Sequence, residues 1–341
     1  MDATRTALLR RGTVIPAHPL ALTADRTLDE RRQRALTRYY LDAGAGGLAV
    51  GVHTTQFEIR EHGLYRPVLE LAAEEFDDRP FLRVAGVAGP AHQAVREAEV
   101  ARELGYDAVL VSPGGLPDAS PADLLDRSAA IGEVLPVIGF YLQEAVGGRY
   151  LPRDYWRRLA DQESTVAVKA APFDRYRTLE LVQGVVDSDR GADVALYTGN
   201  DDNIVGDLLT PFHVGGEVRR FVGGLLGHWA VWTRTAVRLL DDVHAAWDGD
   251  VEARRRAEAW TAMCVDANAA VFDVRHGFAG VIAGVHEVLR RQGLLAGTWC
   301  LGPAEALSPG QADELTRVHG EYPYLREEDD FVAAGLARWL T

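Results

Sequence analysis

STVAVKAAP, Ser164 to Pro172, is a short run of small and β-branched apolar residues that ends on a proline and carries one lysine. With almost no polar position, the run reads as a strand covered on both faces, the habit of parallel sheets in α/β proteins. Lys169 is the only lysine of the chain; every other one of the 36 basic residues is an arginine. Arginine stays charged, whereas a lysine in apolar surroundings loses its proton and becomes a nucleophile. A lysine snorkelling from a strand end is the plainer reading. An amine kept at this one position favours chemistry of the Schiff-base kind.

Working outward, seven more runs share this character: GTVIPAH (12–18), GGLAVG (46–51), FLRVAGVAG (81–89), YDAVLVSP (106–113), VIGFYL (137–142), DVALYTG (193–199) and FVGGLLGH (221–228). Helix-length segments lie between them. TLDERRQRALTRYYLDAG offers Thr27 as N-cap, with Glu30 three residues on, and stops at Gly44. PAHQAVREAEVARELG ends on Gly105, and SPADLLDRSAAIGEVL opens with Ser120 and a first-turn Pro121. Eight βα units in a row predict an α/β chain folded as a (β/α)8 TIM barrel. A doubly wound sheet is the alternative, but no Gly-x-Gly-x-x-Gly turn follows the first run. Beyond about residue 229 only amphipathic helical patterns remain, such as FAGVIAGVHEVLRRQG and DDFVAAGLARWL. The expected organisation is a barrel over 1–230 and a C-terminal helical region over 231–341, packed on it.

The 341 residues suffice for a large core, and 47% hydrophobic with 25% charged content is ordinary for a globular protein. A net charge of −14 argues against nucleic acid and anionic membrane as partners, though arginines can still hold a small anion. Cys264 and Cys300 fit no metal spacing and read as buried thiols. The start, MDATRTALLRRG, lacks the apolar core of a signal peptide, and no apolar run is long enough to cross a bilayer. A cytoplasmic protein is expected.

In such a barrel the active site lies at the C-terminal ends of the strands. Those ends carry His18; His53, Thr54 and Thr55; Ser112; Tyr141 and Gln143; Lys169; Gly199, Asn200 and Asp201 of TGNDD; and His228. A lysine attacking a ketone needs proton transfer at the carbinolamine and imine stages, which Tyr141 on the neighbouring strand is expected to supply. Thr54 and Thr55 offer hydroxyls, and their loop amides a cradle for a carboxylate. The histidines show neither a His-x-His nor a HExxH pattern, so no metal is expected.

These residues together resemble the dihydrodipicolinate synthase / N-acetylneuraminate lyase family of class I pyruvate aldolases, from about Gly12 to about Leu315. VIGFYLQEA and VAVKAAP are similar to the family's strand-five tyrosine and strand-six lysine, with Tyr141 and Lys169 spaced 28 residues apart. GGLAVGVHTT resembles its glycine-rich second strand, LYTGNDD its seventh strand and turn, and GVHEVLRRQGLLAG its C-terminal helix. The resemblance implies an imine between Lys169 and a pyruvate-like 2-oxo acid, with Tyr141 as proton shuttle and Thr55 in the relay. It implies that His53, Thr54, Thr55, Gly199 and Asn200 bind substrate, with an aldehyde as second partner, no cofactor, and a homo-oligomer. Five positions at three places depart from the family pattern. Gln56 and Phe57 replace a Gly-Glu pair, Gly114 and Gly115 stand where a tyrosine crosses between subunits, and Val146 replaces a carboxylate-binding arginine, leaving Arg149 nearest. The departures point away from the lysine-biosynthetic reaction and leave the imine step intact. The reading is therefore a Schiff-base lyase joining or cleaving a 2-oxo acid and an aldehyde. A dehydratase or hydratase-aldolase using the same imine, and a non-catalytic keto-acid or sugar-acid sensor, are the alternatives.

Overall fold

All eight apolar runs form strands in the computed structural model, which describes residues 1–341. They are β1 (Val14–Pro16), β2 (Gly47–Val50), β3 (Leu82–Val87), β4 (Ala108–Val111), β5 (Val137–Leu142), β6 (Thr165–Ala171), β7 (Ala195–Thr198) and, after a short hairpin of β8 (Phe212–Val214) and β9 (Glu217–Arg219), β10 (Phe221–Leu226). The barrel strands run β1-β10-β7-β6-β5-β4-β3-β2 and every pair is parallel. The ring closes between β1 and β2, where the His18 amide donates to Ala49 O at 2.8 Å and the Gly46 amide to Val14 O at 3.2 Å. This is a (β/α)8 barrel with a C-terminal helical extension.

The helix signals hold with one correction. Asp29, not Thr27, caps the helix Glu30–Asp42, its carboxylate accepting from the Arg32 amide at 3.1 Å, while Thr27 pairs with the Thr23 hydroxyl. A carboxylate adds charge to the hydrogen bond at the positive end of a helix. Ser120 caps Pro121–Gly132 in a reciprocal box with Asp123. Gly44 and Gly105 take positive φ just past their helices.

Two elements carried no strand or helix signal in the sequence reading. The N-terminal helix Ala3–Arg11 buries Leu8 and Leu9 against the barrel interior, where the Tyr197 hydroxyl donates to Leu9 O at 2.9 Å. The other is the β8–β9 hairpin.

Side chains alternate along each strand. Ile138, Phe140 and Leu142 point into the barrel with Ala167 and Ala171, whereas Tyr141, Val168 and Ala170 pack outward under the helices. After β10 the helix Thr233–Trp247 completes the outer ring, and five further helices follow, among them Thr261–Val271, Val281–Arg291 and Pro323–Trp339. The last is fastened by Glu328, which accepts from the Tyr39 hydroxyl (2.8 Å), the Arg234 and Thr235 amides (3.1 and 3.0 Å) and the Thr235 hydroxyl (2.9 Å). No helix is long and apolar enough to cross a membrane.

Candidate active site

A cavity of about 70 Å³ lies where the C-terminal strand ends meet the C-terminal helices. Strand ends supply His53, Thr54, Phe140, Lys169, Gly199 and Asp201 to its lining; Phe272, Phe278, Val281, Ile282 and Val285 close it from the C-terminal region.

Lys169 is held there by two local features. A Cβ on Gly199 would stand only 2.4 Å from Lys169 Cε, so glycine at this position makes room for the lysine stem. The Lys169 Nζ sits 4.3 Å from the centre of the Phe140 ring. Burial lowers the ammonium pKa below the usual lysine range, and the charge of Asp201 partly opposes this. The converse holds for Asp201, where burial raises the carboxyl pKa and Lys169 and the His228 amide, which donates to it at 3.0 Å, pull it back. Amine and carboxyl are thereby brought toward one another, the condition for exchanging a proton near neutrality. Burial and the charge of Lys169 push the His53 imidazole down to about 4, so it is neutral and offers one N–H.

Of the residues expected from sequence, Lys169, His53, Thr54 and Gly199 meet in this cavity. The other three do not. The Thr55 hydroxyl accepts from the Gly51 and Val52 amides and donates to His18 O at 2.7 Å, which commits it to the β2 turn. Asn200 is buried beneath the site, with Oδ1 accepting from the Phe173 amide at 3.0 Å and Nδ2 donating to Asp207 and Thr178.

Tyr141 is the larger correction. Its ring packs 5.0 Å from Trp156 on the outer face of the barrel, and its hydroxyl meets only the Leu151 amide, at 3.4 Å. The cause is a slip in register. Val137 pairs with Thr165, but the next pair is Ile138 with Ala167, so one extra residue on β6 brings Phe140 and not Tyr141 beside Lys169. A one-residue slip sends a side chain to the opposite face.

Asp201, one of the strand-end residues of the sequence, also lines the cavity, although its chemical type and spacing assign it no role. The signal was present in TGNDD, but turn-forming residues hide an acid whose role depends on burial. The histidines at the ends of β1 and β10 have structural duties. The ring of His18 bonds Pro19 O, Thr37 and Gln33, and the ring of His228 lies 3.4 Å from the Asn268 amide nitrogen. Arg149 does not reach the cavity; it donates to the carbonyls of Leu116, Pro117 and Ala119. Gln56 is also structural, its Oε1 accepting from the Leu301 amide at 2.6 Å. Gly114, Gly115 and Phe57 line a neighbouring cleft. Cys264 and Cys300 are free and buried.

Comparison with known proteins agrees with this architecture. The 4-hydroxy-tetrahydrodipicolinate synthase of Bifidobacterium longum (strain DJO10A) is 27% identical over 248 residues, which are 72% of this chain and 75% of that protein. The fold is shared with N-acetylneuraminate lyase from Fusobacterium nucleatum (TM-score 0.71, 17% identity, 92% of this chain and 99% of that one). It is shared also with YagE, an E. coli K12 prophage protein of the dihydrodipicolinic acid synthase family solved with pyruvate (TM-score 0.75, 20% identity, 92% and 98%). A sequence model described as the dihydrodipicolinate synthetase family matches residues 11–218, a span that takes in β1 to β7 and Lys169. The chain therefore belongs to the dihydrodipicolinate synthetase family, whose members are lyases of the class I aldolase type.

Proposed function

We propose that the protein joins or cleaves a 2-oxo acid and an aldehyde through an imine on Lys169. The observation that carries the reading is the sole lysine of the chain, buried at the mouth of the barrel with its ammonium destabilised, beside one buried carboxyl. The free amine attacks the keto carbon, and the carbinolamine loses water to give the imine. Loss of a proton from the adjacent carbon gives an enamine, which adds to the aldehyde carbon; hydrolysis then frees the product and the amine. Cleavage is the reverse. We assign these protons to Asp201, which lines the same cavity and whose carboxyl pKa burial raises toward neutrality. His53 and Thr54 offer an N–H and an O–H to the keto-acid carboxylate.

Pyruvate is the first 2-oxo acid to try, since the E. coli K12 relative was solved with it. Borohydride reduction in its presence should add the mass of one reduced pyruvate adduct at Lys169, located by peptide mapping. An unmodified Lys169 across a panel of 2-oxo acids would remove this reading.

A further inference from the structure

We infer that the aldehyde partner lies in the cleft beside the lysine cavity and is selected there by Arg96, through a carboxylate at the end of the molecule away from its carbonyl. This rests on the imine reading of Lys169. The lysine cavity, at about 70 Å³, takes one small keto acid and no second substrate beside it. The cleft measures about 830 Å³, and Leu142 and Val146 line both spaces, so these two side chains form the threshold between them. An aldehyde held in the cleft presents its carbonyl carbon to the enamine across that threshold. Two glycines keep the space open. Gly114 and Gly115 line the cleft, and a Cβ on Gly115 would meet nothing within 4 Å. Ser112, just past the end of β4, accepts from the Gly114 amide at 3.2 Å and keeps its own hydrogen to donate.

The charges of the cleft single out Arg96. One wall is a face of the helix Ala91–Glu103 that carries Gln93, Arg96, Glu97 and Val100. Glu97 is fully engaged: it accepts from Arg60 (3.0 and 2.9 Å), the Ala88 amide (3.0 Å) and Gln93 (2.8 Å), and it neutralises Arg60. Arg96 is exposed and makes no ion pair or side-chain hydrogen bond, whereas most other arginines of the chain are tied to a carboxylate or a carbonyl. A free guanidinium facing a cleft takes a carboxylate on two parallel N–H groups. Glu58 and Glu61, on the segment after β2, are unpaired as well. Two free carboxylates against one free guanidinium disfavour a dianionic phosphate more than a singly charged carboxylate.

The test has two arms. Condensation of pyruvate is followed by mass and rate with succinic semialdehyde, with butanal, which has the same chain length and no charge, and with glyceraldehyde 3-phosphate. Succinic semialdehyde should exceed each of the others in kcat/KM by at least about tenfold, the effect of one charge-assisted hydrogen bond. Arg96→Ala should erase the preference by raising KM for succinic semialdehyde about tenfold with little change in kcat, and Arg96→Lys should restore part of it. In the second arm, ligand-observed NMR measures 4-hydroxybutyrate, which has no carbonyl to react, on the protein without pyruvate. It should bind, and Arg96→Ala should weaken it by the same factor. Equal or faster turnover of butanal or glyceraldehyde 3-phosphate, an unchanged KM in Arg96→Ala, or no binding of 4-hydroxybutyrate overturns the inference. So does an oligomer that Arg96→Ala dissociates by light scattering while 4-hydroxybutyrate binding stays the same, since the cleft is then a contact between two copies. A failed borohydride trap removes the imine reading instead, and the NMR arm still decides whether Arg96 holds a carboxylate.

Discussion

Phe140 and Lys169 are register partners on β5 and β6, and the lysine ammonium lies 4.3 Å from the centre of the phenylalanine ring. A ring face stabilises an ammonium by about 0.5–2 kcal/mol but carries no exchangeable proton. On the proposed imine chemistry, proton transfer must therefore come from elsewhere in the cavity, where Asp201 is the one carboxylic acid.

Lys169→Arg keeps a cation and cannot form an imine. Turnover should vanish, and no pyruvate adduct should appear after borohydride. Gly199 leaves little space around the lysine stem, so the larger guanidinium will also strain the site. Lys169→Met, which fits an apolar wall, is the control for folding by circular dichroism. Turnover surviving in either folded variant would disprove the assignment of the amine.

Asp201→Asn retains an oxygen to accept from the His228 amide and loses the charge. The charge of Asp201 raises the Lys169 pKa, so its removal lowers that pKa further. More free amine is then present at a given pH, and the acid limb of the trapping rate should move to lower pH. Steady-state turnover should still fall by about 10²–10⁴-fold, the usual contribution of a positioned acid–base group. An unshifted trapping profile with normal turnover would leave Asp201 a structural role only.

Tyr141→Phe should change little. The hydroxyl makes one long hydrogen bond, and the ring contact with Trp156 survives the substitution. Stability should stay within about 1 kcal/mol of wild type, and turnover should be unchanged. A large loss of turnover in the folded variant would mean that the hydroxyl reaches the lysine after all.

His286 is fully buried, and burial pushes its pKa down to about 4 against the weaker opposing pull of the Thr298 and Trp299 backbone, neither of which makes a well-formed hydrogen bond to the ring. Between the ordinary imidazole value and about 4 the unfolded chain binds the proton and the folded one does not. Stability is therefore present above the unfolded pKa and lost as pH falls through this window. His286→Leu, similar in volume and apolar, should be neutral or stabilising at pH 7.5 and should raise Tm more at pH 5. Thermal melts at the two pH values would show it, and equal shifts at both would contradict it.

Glu328 is the single acceptor for two amides at the start of the helix Thr233–Trp247. Glu328→Ala should cost about 2–4 kcal/mol in urea unfolding, since buried donors are left without acceptors. Glu328→Gln should cost less than half of that. A neutral alanine variant would mean that water takes over the vacancy.

The strands and the lysine were legible because short apolar runs closed by Gly or Pro have few other readings. The facing of Tyr141 was not, for a physical reason. Spacing along the chain counts residues, and the extra residue that β6 inserts beside Val137 and Ile138 exists only once two strands pair. Thr55 and Asn200 carry groups that suit substrate binding, and tertiary folding gives those same groups backbone partners instead. Asp201 lay hidden among turn formers, and the closing of the cavity by Phe278 and Val281 depends on helices far along the chain from Lys169.

Val281, Ile282 and Val285 reach the cavity from the first turns of one helix, Val281–Arg291, whereas the amine comes from β6. If Lys169 carries the imine, the apolar wall opposite it and the reacting amine come from separate segments with no side chain in common. On the proposed imine chemistry, libraries restricted to those three helix positions would reshape the wall of the cavity while Lys169 and Asp201 stay as they are, so that the barrel would serve as a scaffold with exchangeable partners.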